Sequence, residues 1–254
     1  MSGRGRGEDR GEPHEQDPGQ DPEQDPEQDP ETHLEAARRG APAGEPVLGG
    51  SVFLQALGAA AERLHPEVRR YAAGAGVVGG AVAVEGEFEV AGSRFRKLNL
   101  LARPVVGPNL FVTAYERRVP FRVVNTVAWV RGAGLGLAAE RVFVFSAGEQ
   151  RFADVLLPGP LPGTLRNLLG SARRVELELH CSVTEAGHLR LVSDRAWLRL
   201  GRVRLRLPAL LSVRAEVVDG YDDVAKRNIV NARVRSPLMG TVLEYRGSFS
   251  HTQA

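Results

Sequence analysis

The spacing of apolar residues changes along the chain near residue 79. Before that point, Ser51 is a good N-cap residue for a helix. Pro66 suits the first turn of a second short helix, which Gly74 would end. The apolar residues of the first helix recur at helical spacing, and they are Val52, Phe53, Ala56, Leu57, Ala60 and Leu64. The pattern predicts a short N-terminal helix pair.

From Gly79 onward, apolar and polar residues alternate with a period of two, which is typical of strands with one buried face. The alternating segments are GGAVAVEGEFEVAG, RRVPFRVVNTVAWVR, ERVFVFSAGEQRFADVLL, RRVELELHCSVTE, HLRLVSDRAWLRL, RVRLRLP, LLSVRAEVVDG, KRNIVNARVRSP and TVLEYRGSF. Turns are predicted at Ala147-Gly148-Glu149, Ala186-Gly187 and Asp219-Gly220-Tyr221. We interpret KLNLLARPVVGP as a short helix or loop, and PGPLPGTLRNLLGSAR as a proline-rich loop with one helical turn.

Several strands joined by short polar turns indicate an antiparallel meander. We therefore expect one mainly β (α+β) domain over residues 50–250. Its fold is a curved antiparallel sheet or lipocalin-like barrel, with the helix pair packed on the sheet or plugging the barrel. The chain ends on a predicted strand, which argues against a helix-grip fold.

The stretch VAWVRGAGLGLAAERVFVF contains a match to the dinucleotide-binding pattern G-x-G-x-x-A at Gly134–Ala139. That fingerprint requires a helix after the glycines, but only about three residues separate Gly136 from Glu140 before a strand pattern begins. A hairpin loop, in which glycines permit positive φ, explains the stretch better than a nucleotide site does. No cofactor is predicted.

The charges of the chain are divided unequally between two parts. The first 50 residues hold five arginines and 13 acidic residues, whereas the whole chain holds 33 basic and 31 acidic residues. Residues 51–254 therefore hold 28 basic and 18 acidic residues, an excess of ten positive charges. The repeat QDPGQDPEQDPEQDPE places proline at every fourth position, and we expect residues 1–46 to form a disordered acidic tail. The tail is a solvated spacer or a docking segment for the basic domain.

Several classes of protein are disfavoured by the composition. Cys181 is the single cysteine, so no intrachain disulfide can form. No apolar run approaches the length of a transmembrane helix, and the first residues lack the apolar core of a secretory signal, so we expect a cytoplasmic protein. Aromatic residues are few and the arginines are spread through the strand pattern, so no nucleic-acid partner is expected.

No catalytic or metal-binding arrangement is predicted, because no histidine pair has metal-ligand spacing and no nucleophile motif is present. The candidate ligand-binding residues are instead polar residues within strand patterns: Arg141, Glu216, Tyr245 and Arg246. If they point inward, they form a paired polar cluster in a cavity, since buried charges need partners. If they point outward, they form a cross-strand ladder on the wet face.

The chain from about Ser51 to Phe249 resembles the bacterial domain-of-unknown-function family 4166. The resemblance rests on LHPEVRR after the opening helix, on ERVFVF, on Leu207-Pro208, and above all on the ending VRSPLMGTVLEYRGSF. The family implies a domain that is found alone or fused behind a nicotinamide-binding oxidoreductase domain, with no established catalytic residues.

Two functions are predicted as alternatives. The first is a binding module that holds a small apolar or lipid-like ligand in a β cavity. The second is an accessory domain or enzyme that acts with a separately encoded nicotinamide-dependent oxidoreductase.

Overall fold

A computed structural model describes residues 51–74, 77–95, 103–130 and 134–253 of the chain. The acidic segment that we expect to be disordered, residues 1–46, lies outside these described residues. The first half of KLNLLARPVVGP and the loop residues 131–133 of the glycine stretch also lie outside them.

The helices in the described part of the chain are short. They are α1 (Val52–Leu57), a 3-10 helix (Gly58–Arg63), α2 (Pro66–Ala73) and α3 (Arg103–Val106). The Ser51 side chain caps α1 as predicted, because its oxygen accepts a hydrogen bond from the Leu54 N–H at 3.3 Å. His65 caps α2, since its Nδ1 accepts from the Glu67 N–H at 3.2 Å. Gly74 ends α2 with a φ of 67°.

Eleven strands make up most of the described chain. They are β1 (Ala81–Gly92), β2 (Tyr115–Val130), β3 (Gly134–Phe145), β4 (Gly148–Pro158), β5 (Thr164–Leu169), β6 (Val175–Val183), β7 (Leu189–Leu200), β8 (Val203–Arg206), β9 (Arg214–Asp222), β10 (Arg227–Ser236) and β11 (Gly240–Gln253).

Ten of these strands close into an antiparallel barrel. The order is β6-β5-β4-β3-β2-β1-β11-β10-β9-β7, and the ring closes because β7 also pairs with β6. The first residues of β7, Leu189–Val192, pair with β9, whereas its last residues pair with β8 in a hairpin beside the ring. Closure leaves the ten strands without a free edge. The prediction of a mainly β fold with a lipocalin-like barrel is confirmed.

The helix pair closes one end of this barrel, which we call the helix end. The His65 N–H donates to the Gly187 carbonyl at 2.9 Å, in the turn between β6 and β7. The Gly163 N–H donates to the Ala56 carbonyl at 3.1 Å, in the connection between β4 and β5. The His65 ring also stacks on Tyr221 with 4.9 Å between ring centroids. The opposite end, where β1 runs to β2, β3 to β4, β5 to β6, β7 to β9 and β10 to β11, is called the open end.

Part of the barrel interior is filled by stacked aromatic rings. Phe88 of β1 lies 3.7 Å from Phe121 of β2, measured between centroids, and 5.5 Å from Phe143 of β3. Tyr245 of β11 lies 5.0 Å from Phe88. A second, aliphatic cluster packs the helices against the inner faces of β4, β5, β6, β7 and β9. The space between these two clusters is where a cavity forms.

The prediction of a loop for PGPLPGTLRNLLGSAR is wrong for the middle of this stretch, because Thr164–Leu169 forms β5. This strand is only six residues long, and apolar and polar residues do not alternate along it. Asn167 lies at an inward position between Leu165 and Leu169, and Leu168 is buried on the outer face with Val155 and Leu157. A leucine-rich segment without clear alternation gives no strand signal.

The predicted turn at Asp219-Gly220-Tyr221 is also wrong. All three residues lie inside β9, and the turn to β10 comes after Asp222. Asp-Gly is a common turn dipeptide, but here the glycine serves a close approach. A Cβ atom at Gly220 would lie 2.7 Å from the ring of His188, the residue just before β7. The glycine makes room for this ring, while Asp219 keeps its place in the strand alternation.

The glycine stretch forms a strand, as the hairpin interpretation requires. Gly134–Phe145 is β3, and it pairs antiparallel with β2 from Val130↔Gly134 to Phe121↔Phe143. The residues that match G-x-G-x-x-A therefore lie in a strand rather than in a turn followed by a helix.

Truncating the aromatic cluster tests this account of the core. Phe88 is 2% exposed and stacks on Phe121. We expect Phe88→Ala to lower the free energy of unfolding by about 3–5 kcal/mol, because it removes buried surface and leaves a cavity. Val124→Ala, at a half-exposed position of β2, is the control and changes the free energy by about 0.5 kcal/mol or less. Urea unfolding followed by tryptophan fluorescence measures both, and equal effects would contradict the account.

Candidate functional site

The barrel encloses a cavity of about 340 Å³. Its wall is built from the inward positions of the strands, from α1 and α2 at the helix end, and from the connections at the open end. Apolar side chains form most of it, including Leu137, Phe152, Leu156, Leu177, Leu191, Val217 and Val234. This size and this apolar lining are typical of sites for small organic ligands.

One ion pair lies within the cavity wall. The Arg141 guanidinium on β3 contacts the Asp154 carboxylate on β4, and the two residues are bonded through Nη1 and Oδ1. Asp154 is almost fully buried, with 2% of its side chain exposed. Burial opposes the charge on Arg141, but Asp154 and the nearby tyrosines outweigh it and raise the pKa of the guanidinium. Arg141 therefore stays charged because Asp154 balances it.

Asp219 faces the same cavity from β9. It has no hydrogen-bond or ion-pair partner among the residues that the structure describes. Burial raises the pKa of its carboxyl to about 6, although the positive charge of Arg141 acts in the opposite direction. A carboxyl group in an apolar cavity without a partner is costly to ionise.

Two tyrosines and an asparagine add further polar groups to the wall beside Arg141, Asp154 and Asp219. The Tyr71 hydroxyl on α2 accepts a hydrogen bond from Asn125 Nδ2 on β2 at 3.3 Å. Burial, followed by the Asp219 charge, raises the pKa of Tyr71. Burial likewise raises the pKa of Tyr245, whose ring packs between Phe88 and the cavity. Both phenols therefore remain protonated near neutral pH and can donate hydrogen bonds.

We call these six residues the polar cluster: Tyr71, Asn125, Arg141, Asp154, Asp219 and Tyr245. The cluster offers phenol donors, a charged guanidinium and a carboxyl that exchanges its proton near pH 6. It is therefore suited to holding the polar group of an otherwise apolar molecule.

Burial raises the pKa of the Cys181 thiol to about 12, so this thiol stays protonated.

The four residues predicted from the sequence divide into two pairs. Arg141 and Tyr245 line the cavity. Glu216 lies outside the barrel, where it is bonded to Arg190 at 2.7 Å, and Arg246 lies outside, 3.1 Å from Glu89. The structure does not bring Glu216 and Arg246 to the cavity, because they alternate with inward neighbours on β9 and β11.

Sequence reasoning missed Tyr71, Asn125, Asp154 and Asp219. A signal for Asp154 and Asp219 was present in the strand phase. Asp154 follows Phe152 and precedes Leu156 at the same alternation, and Asp219 follows Val217 in the same way. A charged residue at the inward phase of an alternating strand indicates a polar group that faces the interior.

The closed barrel and its largely apolar cavity define the class of protein, which is a small β-barrel domain with an internal cavity. A family comparison places the chain within one family. The model of the family described as Domain of unknown function (DUF4166) matches residues 64–249, and the chain belongs to this family.

A curated relative is the "Uncharacterized protein YndH" of Bacillus subtilis (strain 168). It is 23% identical over 166 residues, which cover 65% of this chain and 80% of that protein. Its name assigns no ligand or activity.

Within residues 51–74, 77–95, 103–130 and 134–253, no helix has the length and apolar character of a membrane span. In the same ranges, no three His, Cys, Asp or Glu side chains come together as a metal site would require.

The raised pKa of Asp219 predicts a pH dependence of stability. The folded state holds a proton on this carboxyl up to about pH 6, whereas the ordinary pKa of an aspartate is 3.8. Folding therefore takes up a proton between these values, and stability falls as the pH rises from about 4 to about 6. We expect Asp219→Asn to remove this fall, so that at pH 7 the variant exceeds the native chain by up to about 3 kcal/mol.

Urea unfolding at a series of pH values measures this difference. The control is Asp223→Asn, which removes a carboxylate that is 69% exposed just beyond the same strand. If the free energy of unfolding changes with pH in the same way for the native chain and for Asp219→Asn between pH 4 and pH 7, the account of Asp219 as a buried, unpaired carboxyl is refuted.

Proposed function

We propose that this protein binds a small apolar or lipid-like molecule inside its barrel, with the polar group of that molecule at the polar cluster. The observation that carries the proposal is an enclosed apolar cavity of about 340 Å³ with an unpartnered carboxyl, Asp219, in its wall. Burial of such a group is unfavourable unless it is hydrogen-bonded, and a bound ligand can supply the missing donor.

The charges of the cluster favour a neutral ligand group. Arg141 is balanced by Asp154, so that an ionised Asp219 leaves the cluster with a negative charge. A ligand carboxylate or phosphate would be repelled by this charge. A hydroxyl group avoids the repulsion, because it can donate to Asp219 and accept from the phenol of Tyr245. The proposal therefore commits to an apolar alcohol as the ligand class.

Blocking the cavity tests the binding site. Val217 on β9 lines the cavity, whereas its neighbour Val218 points outward and pairs across the sheet with Arg190 and Asn231. The probe is N-phenyl-1-naphthylamine, which fluoresces more strongly in an apolar site. We expect the native chain and Val218→Phe to bind one probe molecule, and Val217→Phe to weaken binding at least about tenfold, because the new ring occupies the cavity. Equal binding by both variants would show that the probe binds outside the cavity and would contradict the proposed site.

The donor preference is tested by two isomeric competitors. Decan-1-ol and 1-methoxynonane have the same composition, but only the alcohol can donate a hydrogen bond to Asp219. We expect the alcohol to displace the probe about tenfold more effectively at pH 7.5, since a hydrogen bond to a charged group contributes about 1.5–3 kcal/mol. Asp219→Leu should abolish this preference while probe binding itself persists. A preference that survives in Asp219→Leu would exclude this residue as the anchor.

The alternative role beside a nicotinamide-dependent oxidoreductase stays a prediction that rests on the family resemblance. No contact described above favours it over ligand binding.

A further inference from the structure

The open end of the barrel carries a group of exposed apolar side chains on three separate connections. Val105 lies between β1 and β2, Leu210 and Leu211 lie between β8 and β9, and Leu238 and Met239 lie between β10 and β11. Each of these five residues is between 48% and 62% exposed. We call this group the apolar rim.

The apolar rim surrounds the mouth of the cavity. Leu211 and Met239 belong both to the apolar rim and to the cavity wall. Leu207 and Val213, in the same connection as Leu211, also line the cavity. Because Leu211 and Met239 are 60% and 48% exposed, the cavity reaches the surface at the open end. A ligand that enters or leaves here passes between these side chains.

The charges around the rim are mostly positive. The segments that form this end, residues 103–114, 146–149, 170–175, 200–214 and 235–243, contain eight arginines and one acidic residue, Glu149, which is paired with Arg122. The helix end differs, because it carries more acidic residues: Glu62, Glu67, Glu185, Asp222 and Asp223. The positive charge of the domain is therefore polarised toward the mouth.

Most of these arginines lack an ionic partner. Arg204 is bonded to Glu176 at 2.7 Å, and Arg174 donates to the Val105 carbonyl at 2.9 Å. The remaining arginines with described side chains are exposed and have no carboxylate partner among the described residues: Arg173, Arg202, Arg206, Arg214 and Arg235. Five unbalanced guanidinium groups around an apolar rim form a surface that fits an external anionic partner.

We propose that the open end docks onto the surface of an anionic phospholipid bilayer. The arginines meet the phosphate headgroups, and the leucine, methionine and valine side chains of the rim enter the boundary between headgroups and acyl chains. The cavity mouth then faces the bilayer, so that an apolar ligand moves between membrane and barrel without crossing water.

The composition of this surface distinguishes a bilayer from a nucleic acid. Nucleic-acid surfaces combine arginines with aromatic side chains that stack on bases. Here the exposed side chains beside the arginines are aliphatic, and they project at three points around an opening. Aliphatic side chains gain most from transfer into acyl chains.

Vesicle co-sedimentation of the full chain tests the proposal. We expect binding to vesicles of phosphatidylcholine mixed with phosphatidylglycerol, weaker binding at high salt, and little binding to phosphatidylcholine alone. Arg202→Gln/Arg206→Gln should weaken binding by roughly fivefold for each arginine removed. Arg69→Gln/Arg227→Gln, which removes two exposed arginines at the helix end, should leave binding unchanged.

A pair of variants with the same net charge, each of which adds two glutamates, tests the apolar rim. Leu210→Glu/Leu238→Glu changes two rim residues that do not line the cavity, whereas Leu161→Glu/Val224→Glu changes two exposed residues near the helix end. We expect the first variant to lose vesicle binding and the second to retain most of it. Binding of N-phenyl-1-naphthylamine should persist in both, which shows that the barrel is intact.

Three results would overturn the proposal. They are failure of the full chain to sediment with anionic vesicles at low salt, equal losses in the two glutamate variants, and binding to duplex DNA in place of vesicles. Each result is independent of the ligand experiments, because those use the cavity without a membrane.

Discussion

Closure of the barrel through β7 is the constraint on which the rest of the structure depends. β7 pairs with β6 along most of its length and with β9 through Leu189–Val192, and this divided pairing joins the two ends of the sheet. Once the ring is closed, each of its ten strands has one face toward a common interior. Asp219 on β9 and Arg141 on β3 then face the same cavity although they are 78 positions apart in the sequence.

The barrel interior combines apolar packing with a cluster of charged and polar side chains. The aromatic stack around Phe88 and the aliphatic cluster around the helices make the barrel stable, while the polar cluster lies between them. Arg141 is stabilised there only because Asp154 is its partner, and Asp219 is left without one. Natural interiors satisfy nearly all of their buried polar groups, and the proposal that a ligand occupies the cavity rests on this carboxyl, which faces the cavity without a protein partner among the described residues.

The sequence predicts most of the fold because alternation is local. The helix cap at Ser51 and most of the strands follow from short-range patterns. The strand Thr164–Leu169 and the position of Asp219 do not, since one lacks alternation and the other is masked by a turn-like dipeptide. The site is less predictable than the fold. Strand phase alone cannot show which inward residues meet, because barrel closure brings together strands that are distant along the chain.

Native mass spectrometry of the purified full chain, followed by organic extraction, tests the central claim most directly. The account predicts one co-purifying apolar molecule per chain, with a hydroxyl as its polar group, and loss of this molecule from Val217→Phe. A chain that shows only its own mass, and that still does so after incubation with a cell lipid extract, would contradict the claim that the cavity is a binding site.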